Sequence, residues 1–164
     1  MLKLRKLAVV SLLTAIAVVG RLLIHGVNIQ PATLIIILTG WFLGWKAGLA
    51  EGIMVGLVTD LILGLGYWTP FQMAAWGLIG LISHFIPKKR ALYIGWLAVS
   101  GYVFGFIMAF SYFLMSSNVW TVMAMYLSGL IFDTYHAVGN LMFGLLSPLL
   151  FKVFQKEQQA LKIK

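Results

Sequence analysis

The chain has 164 residues, of which 62% are hydrophobic and only 10% charged, and its mean hydropathy is +0.99. Apolar runs this long and this numerous exceed what one water-soluble core can enclose, so the composition predicts an integral membrane protein with a single domain over 1–164. The net charge of +8 does not point to nucleic acid, because the bases cluster between the hydrophobic runs as the positive-inside rule requires, and the lack of Cys excludes disulfides and thiolate metal sites.

Lys3, Arg5 and Lys6 precede an apolar run from Leu7 to about Ile24, which places the amino terminus in the cytoplasm. The run is not followed by a small-residue cleavage pattern; Arg21 and His25 come instead, so it reads as a span. Ser11, Ala15 and Val19 lie four apart on one helical face, a small-xxx-small pattern that suits either packing inside a bundle or docking of a partner helix. Arg21 falls near the outer end of this span. The loop His25-Gly-Val-Asn-Ile-Gln-Pro31 carries Asn28 and Gln30 and is stiffened by Pro31.

A short second span runs from Pro31 to Trp45, and Lys46 marks the return to the cytoplasm before a third span, Ala47 to Leu63. Gly40, Gly44, Gly48, Gly52 and Gly56 recur every fourth residue, which predicts a smooth groove and a tight helical hairpin. An ionised carboxylate at the bilayer centre costs roughly 2.5 to 3.5 kcal/mol, so both acids of the third span need a partner or water. Glu51 is expected at the cytoplasmic interface near Lys46. Asp60, at the depth of Arg21, is expected to form a structural ion pair with it.

Gly64, Gly66 and Pro70 shape a turn into a fourth span from Pro70 to about Ile86, which stops at Pro87 with Lys88, Lys89 and Arg90. That basic cluster is cytoplasmic, so the 64–70 loop lies outside, on the face of the first loop. Gln72 and Trp76, one turn apart, can both face a site beneath it. A fifth span from about Leu92 to Met115 leads outward to Ser116-Ser-Asn-Val-Trp-Thr121. The last segment, from Trp120 to Lys152, exceeds the ~20 residues needed to cross and is therefore tilted, broken or begun by an interfacial turn. Tyr126, Asp133, His136 and Asn140 fall near one face of it, where polar groups point into the bundle or toward a cavity. The pattern predicts an all-α membrane protein, a compact bundle of six transmembrane helices with both termini cytoplasmic. Eleven of the twelve Lys and Arg lie on that side.

His25, His84 and His136 are scattered, so no metal site is expected, and no cofactor motif or phosphate loop is present. The chain is not expected to be an enzyme; Asp60 and Asp133 would be the one acid pair available to an intramembrane hydrolase. A membrane scaffold or assembly protein is the other alternative. Amides and rings nevertheless gather on the outer face: Asn28 and Gln30 from one loop, Tyr67, Trp68 and Thr69 from another, with Gln72, Trp76 and the stripe Asp133, His136 and Asn140 below. This set suits a flat, mostly neutral organic ligand.

The six-span plan, the face of Ser11 and Ala15, the Asn28-Ile-Gln-Pro31 approach, the glycine ladder and above all Gly66-Tyr-Trp-Thr-Pro-Phe-Gln72 give the chain its likeness to a known family. It resembles the substrate-binding S components of energy-coupling factor (ECF) transporters for vitamins, over nearly its whole length. The resemblance implies uptake of a vitamin-like small molecule across a prokaryotic cell membrane, the ligand being bound near the outer face under the loops around 25–31, 64–70 and 116–121. It implies docking of Ser11 and Ala15 on a transmembrane coupling subunit, and two cytoplasmic ATPases as further partners. The docking face has Ser11 where the family pattern has Ala. The chain begins Met1-Leu2 rather than the Met-His of cobalt and nickel members, which argues against a metal ion as ligand. Cobalamin stands first among the ligands the loop pattern implies, with riboflavin or a deazapurine precursor next.

Overall fold

The computed structural model describes residues 2–24, 26 and 28–163, and among these all regular structure is helical. His25 and the Met1 start lie outside the described residues. The helices are α1 (Leu2–Leu23), α2 (Ala32–Leu43), α3 (Trp45–Leu63), α4 (Thr69–Ser83), α5 (Arg90–Ala109), α6 (Phe113–Ser116), α7 (Val119–Gly144) and α8 (Ser147–Ala160). A 3₁₀ turn, Phe110–Tyr112, joins α5 to α6, so that Arg90–Ser116 runs on as one apolar helix.

α2 is the centre. It touches α1, α3, α4, α5, α7 and α8, and all of its twelve residues are buried. A sequence of Leu, Ile, Thr and aromatic residues with no polar face has no side to offer to water, which is why the other helices enclose it. Twelve residues give about 18 Å of helix, short of the ~30 Å hydrocarbon core. By length and composition two helices can cross a membrane, Leu2–Leu23 and Arg90–Ser116, with a third if the bent pair α7 and α8 counts as one span. Of the six spans expected, two or three are thus carried, among the described residues, by helices long and apolar enough to cross, with shorter helices beside them. Large apolar side chains such as Leu4, Leu12, Leu127 and Ile131 cover the outside.

The glycine ladder forms the expected tight hairpin, with Gly48 closing on Gly40, and also seats a third helix. Gly44 is the hinge between α2 and α3, with φ +97°, and the chain turns there without further residues. Gly48 and Gly52 pack α3 onto α4, because a Cβ at either would run into the backbone of Gly80 or Trp76. Closure of these helices also overturns the interfacial placement of Glu51. Its side chain is fully buried, against Thr39 of α2.

The long last segment is broken. α7 and α8 meet at 70°, where Pro148 lies in the first turn of α8 and lacks the N–H that would continue the preceding helix. α8 folds back under the bundle and its Glu157 pairs with Arg5 of α1 at 3.0 Å. At this same end Trp41 stacks on Tyr93 with centroids 4.9 Å apart, its Nε1 donates to Ile86 O at 2.8 Å, and Lys88 Nζ lies 4.8 Å from the Phe42 ring centroid. The basic ends of α1, α3, α5 and α8 are therefore gathered on one face of the molecule. The loops at 28–31 and 64–68 lie at the other.

Candidate functional site

At that other end a cavity of about 330 Å³ opens between the end of α1, the two loops, the α5 to α6 stretch and α7. Arg21 forms part of its floor. The side chain leaves the last turn of α1 and spreads its guanidinium 4.6 Å from the Trp76 ring centroid. Nη1 donates to Thr59 Oγ1 and stands 3.7 Å from Asp60 Oδ1; Nη2 donates to Gln72 Oε1 at 3.1 Å. Gln72 Nε2 in turn donates to Asp60 Oδ1. α1, α3 and α4 are thus joined through one charged network, in which the ion pair is held at Asp60 Oδ1 by the amide between them.

A second polar layer lies beneath this floor. Trp76 is fully buried and its Nε1 donates to Thr33 Oγ1 at 3.0 Å. Thr33 Oγ1 is 2.8 Å from Nε2 of His136, which is also fully buried and meets the Phe104 ring edge-on at 5.0 Å. Asn140, a turn further, donates from Nδ2 to Leu97 O at 3.0 Å and to Ser100 Oγ at 3.1 Å. Trp76, His136 and Asn140 therefore do not line the cavity; they tie α2, α4, α5 and α7 together below it. The reason is depth: along the polar face of α7, Asp133 lines the cavity while His136 and Asn140, on the following turns, are fully buried in the core.

The walls come from both loops. Asn28 takes the left-handed conformation, φ 55°, tolerated by Asn because its short amide bonds locally, and donates from Nδ2 to Phe132 O at 3.2 Å. Gln30 Nε2 is 3.5 Å from Asn28 Oδ1. In the second loop Gly66 N donates to Thr69 Oγ1 at 3.1 Å, so Thr69 closes the turn and does not line the cavity. The turn presents Tyr67 and Trp68, whose rings meet edge to face at 5.1 Å, and Tyr67 reaches Tyr112 at 6.2 Å.

Of the residues singled out as ligand-binding from the sequence, the cavity brings together Asn28, Gln30, Tyr67, Trp68, Gln72 and Asp133. The 116–121 loop contributes nothing to the lining, and Trp120 is 76% exposed on the outside. Its place is taken by Ser111 and Tyr112 from the turn after α5 and by Tyr126 and Gly129 from α7. Gly105 and Gly129 were not legible as site residues, although two glycines in otherwise bulky apolar helices are the kind of signal that marks close approach or open space. Arg21 lines the cavity as well as pairing with Asp60. Ser11 and Ala15 lie on the far side of α1 in an open groove against Ala50, Met54 and Val58 of α3.

A family model described as "ECF-type riboflavin transporter, S component" matches residues 1–145. No curated protein and no solved structure matches the chain.

Proposed function

The chain belongs to the family of ECF-type riboflavin transporter S components, and from that premise we propose that it captures a flat, vitamin-like heterocycle in the cavity between the 28–31 and 64–68 loops. The observation that carries the reading is the cavity itself: amides and aromatic rings converge there beside Arg21, at the end of the molecule opposite the basic ends of α1, α3, α5 and α8. Such a lining holds a planar ligand by stacking and a few hydrogen bonds. Riboflavin replaces cobalamin as the first ligand to test, because the matched family carries its name and about 330 Å³ accords with one fused ring system, whereas a corrinoid is several-fold larger.

The clustering of bases on the opposite face supports a cytoplasmic placement of that face, with both termini inside. It also supports six membrane segments in a prokaryotic cell membrane, the short α2 and α4 being shielded by longer neighbours. The groove of Ser11 and Ala15 fits the coupling subunit, with two ATPases acting below. Transport as a subunit of such a complex requires no bond chemistry from this chain.

The test is to purify the protein from membranes, identify co-purifying small molecules by mass spectrometry, and titrate riboflavin by quenching of its fluorescence. Tight, saturable one-to-one quenching is expected. A protein that carries no small molecule and quenches no flavin fluorescence would sink the reading.

A further inference from the structure

Two charged side chains line the cavity, Arg21 and Asp133. Arg21 is fully engaged with Thr59, Asp60 and Gln72. Asp133 is only 4% exposed, yet neither a hydrogen bond nor an ion pair from the described residues reaches its carboxylate. A nearly buried carboxylate that lacks a protein donor is left to pair with whatever occupies the cavity it lines. A second feature of the fold nevertheless makes room for it: Gly105 of α5 faces it so closely that a Cβ there would overlap the carboxylate.

The same face of α7 presents Tyr126, Gly129 and Asp133, spaced i, i+3 and i+7, so they stack along one side of the helix. A Cβ at Gly129 would meet nothing within 4 Å, and this glycine lines the cavity. Open space at Gly129 therefore lies between Tyr126 and Asp133 along the cavity wall. Resting on the ligand reading given above, we propose that Asp133 is the specificity-determining residue of this site and accepts a hydrogen bond from a ring N–H of the ligand. For riboflavin that donor is the imide N3–H, the one ring N–H of the oxidised flavin. A neutral N–H satisfies the carboxylate without placing a cation beside the guanidinium of Arg21 in the same cavity.

The experiment is a two-by-two cycle of ligand and residue. Riboflavin and 3-methylriboflavin, which lacks the N3–H, are titrated by fluorescence quenching against the wild type and Asp133→Ala. Among the described residues Asp133 has no hydrogen-bond or ion-pair partner to lose, so the variant is expected to melt no lower than the wild type. Asp133→Asn, which keeps the shape, serves the cycle if the alanine variant does not fold.

The wild type is expected to prefer riboflavin by about tenfold or more, the scale of a hydrogen bond to a charged acceptor. In Asp133→Ala the preference should fall to about one, through weaker riboflavin binding; in Asp133→Asn it should shrink. A preference that persists undiminished in the variants, or that the wild type lacks, overturns the role of Asp133 while leaving the flavin site standing. A wild type that binds neither flavin overturns both.

Discussion

Arg21 shows how one residue's setting decides its effect. Its side chain is 13% exposed, toward the cavity, and that of Asp60 3%, so Asp60 is closed off from water and solvent does little to soften the loss of its partner. Arg21→Met removes the charge while keeping an apolar side chain of similar reach, and among the described residues it leaves Asp60 with Gln72 as its side-chain donor. The expected loss of stability is about 3–5 kcal/mol, typical of an orphaned buried charge. Combining it with Asp60→Asn should recover much of that, because the amide keeps its bond to Gln72 without a charge to compensate. Thermal unfolding in detergent of the two single variants and the double variant measures this. A double variant as unstable as the sum of the singles would show that the two groups act independently. The approach of Arg21 and Asp60 was legible in the sequence from their matched depth. Gln72, which joins them, was legible only as an amide near a loop, because the bond depends on the rotation of α4 about its axis.

At the scale of elements, the contact that fixes the site is the α3 to α4 seam. It positions Asp60 and Thr59 on one helix against Gln72 on the other, and it depends on backbone meeting backbone at Gly48 and Gly80. Gly80→Leu would insert a side chain where the Gly48 carbonyl stands, and no flexible neighbour can yield. We expect the variant to be recovered in poor yield, or to unfold well below the wild type and lose ligand binding with it. Gly95→Leu, at a glycine with nothing within 4 Å, is the matched control and should leave both unchanged. Equal behaviour of the two would remove the seam from the explanation. The four-residue glycine period announced close packing, but it could not name the partner. A groove on a helix fits any smooth neighbour, and α4, with its own Gly77 and Gly80, was the neighbour that matched.

The whole molecule separates two surfaces. The cavity lies at one end, walled by α1, α5, α7 and the loops, while the groove containing Ser11 and Ala15 runs between α1 and α3. Ala15→Trp adds bulk to that groove without entering the cavity. It is expected to abolish ligand uptake in cells that express the coupling subunit and ATPases, and to leave flavin titration of the purified protein unchanged. Loss of binding together with uptake would contradict the separation. The sequence by itself determined the helical class, the membrane setting, the gathering of bases at one end and the two loops that meet at the other. These follow from composition and from hydrophobic run length, which are local quantities. Tertiary structure decided the rest. It sank Trp76, His136 and Asn140 below the cavity, left Asp133 in its wall, and replaced the 116–121 loop with the turn after α5. It also buried Glu51, and it made the twelve-residue α2 the core of the bundle. Helical spacing fixes which residues share a face; how deep each turn lies, and which neighbour covers it, is set by how the helices tilt and cross.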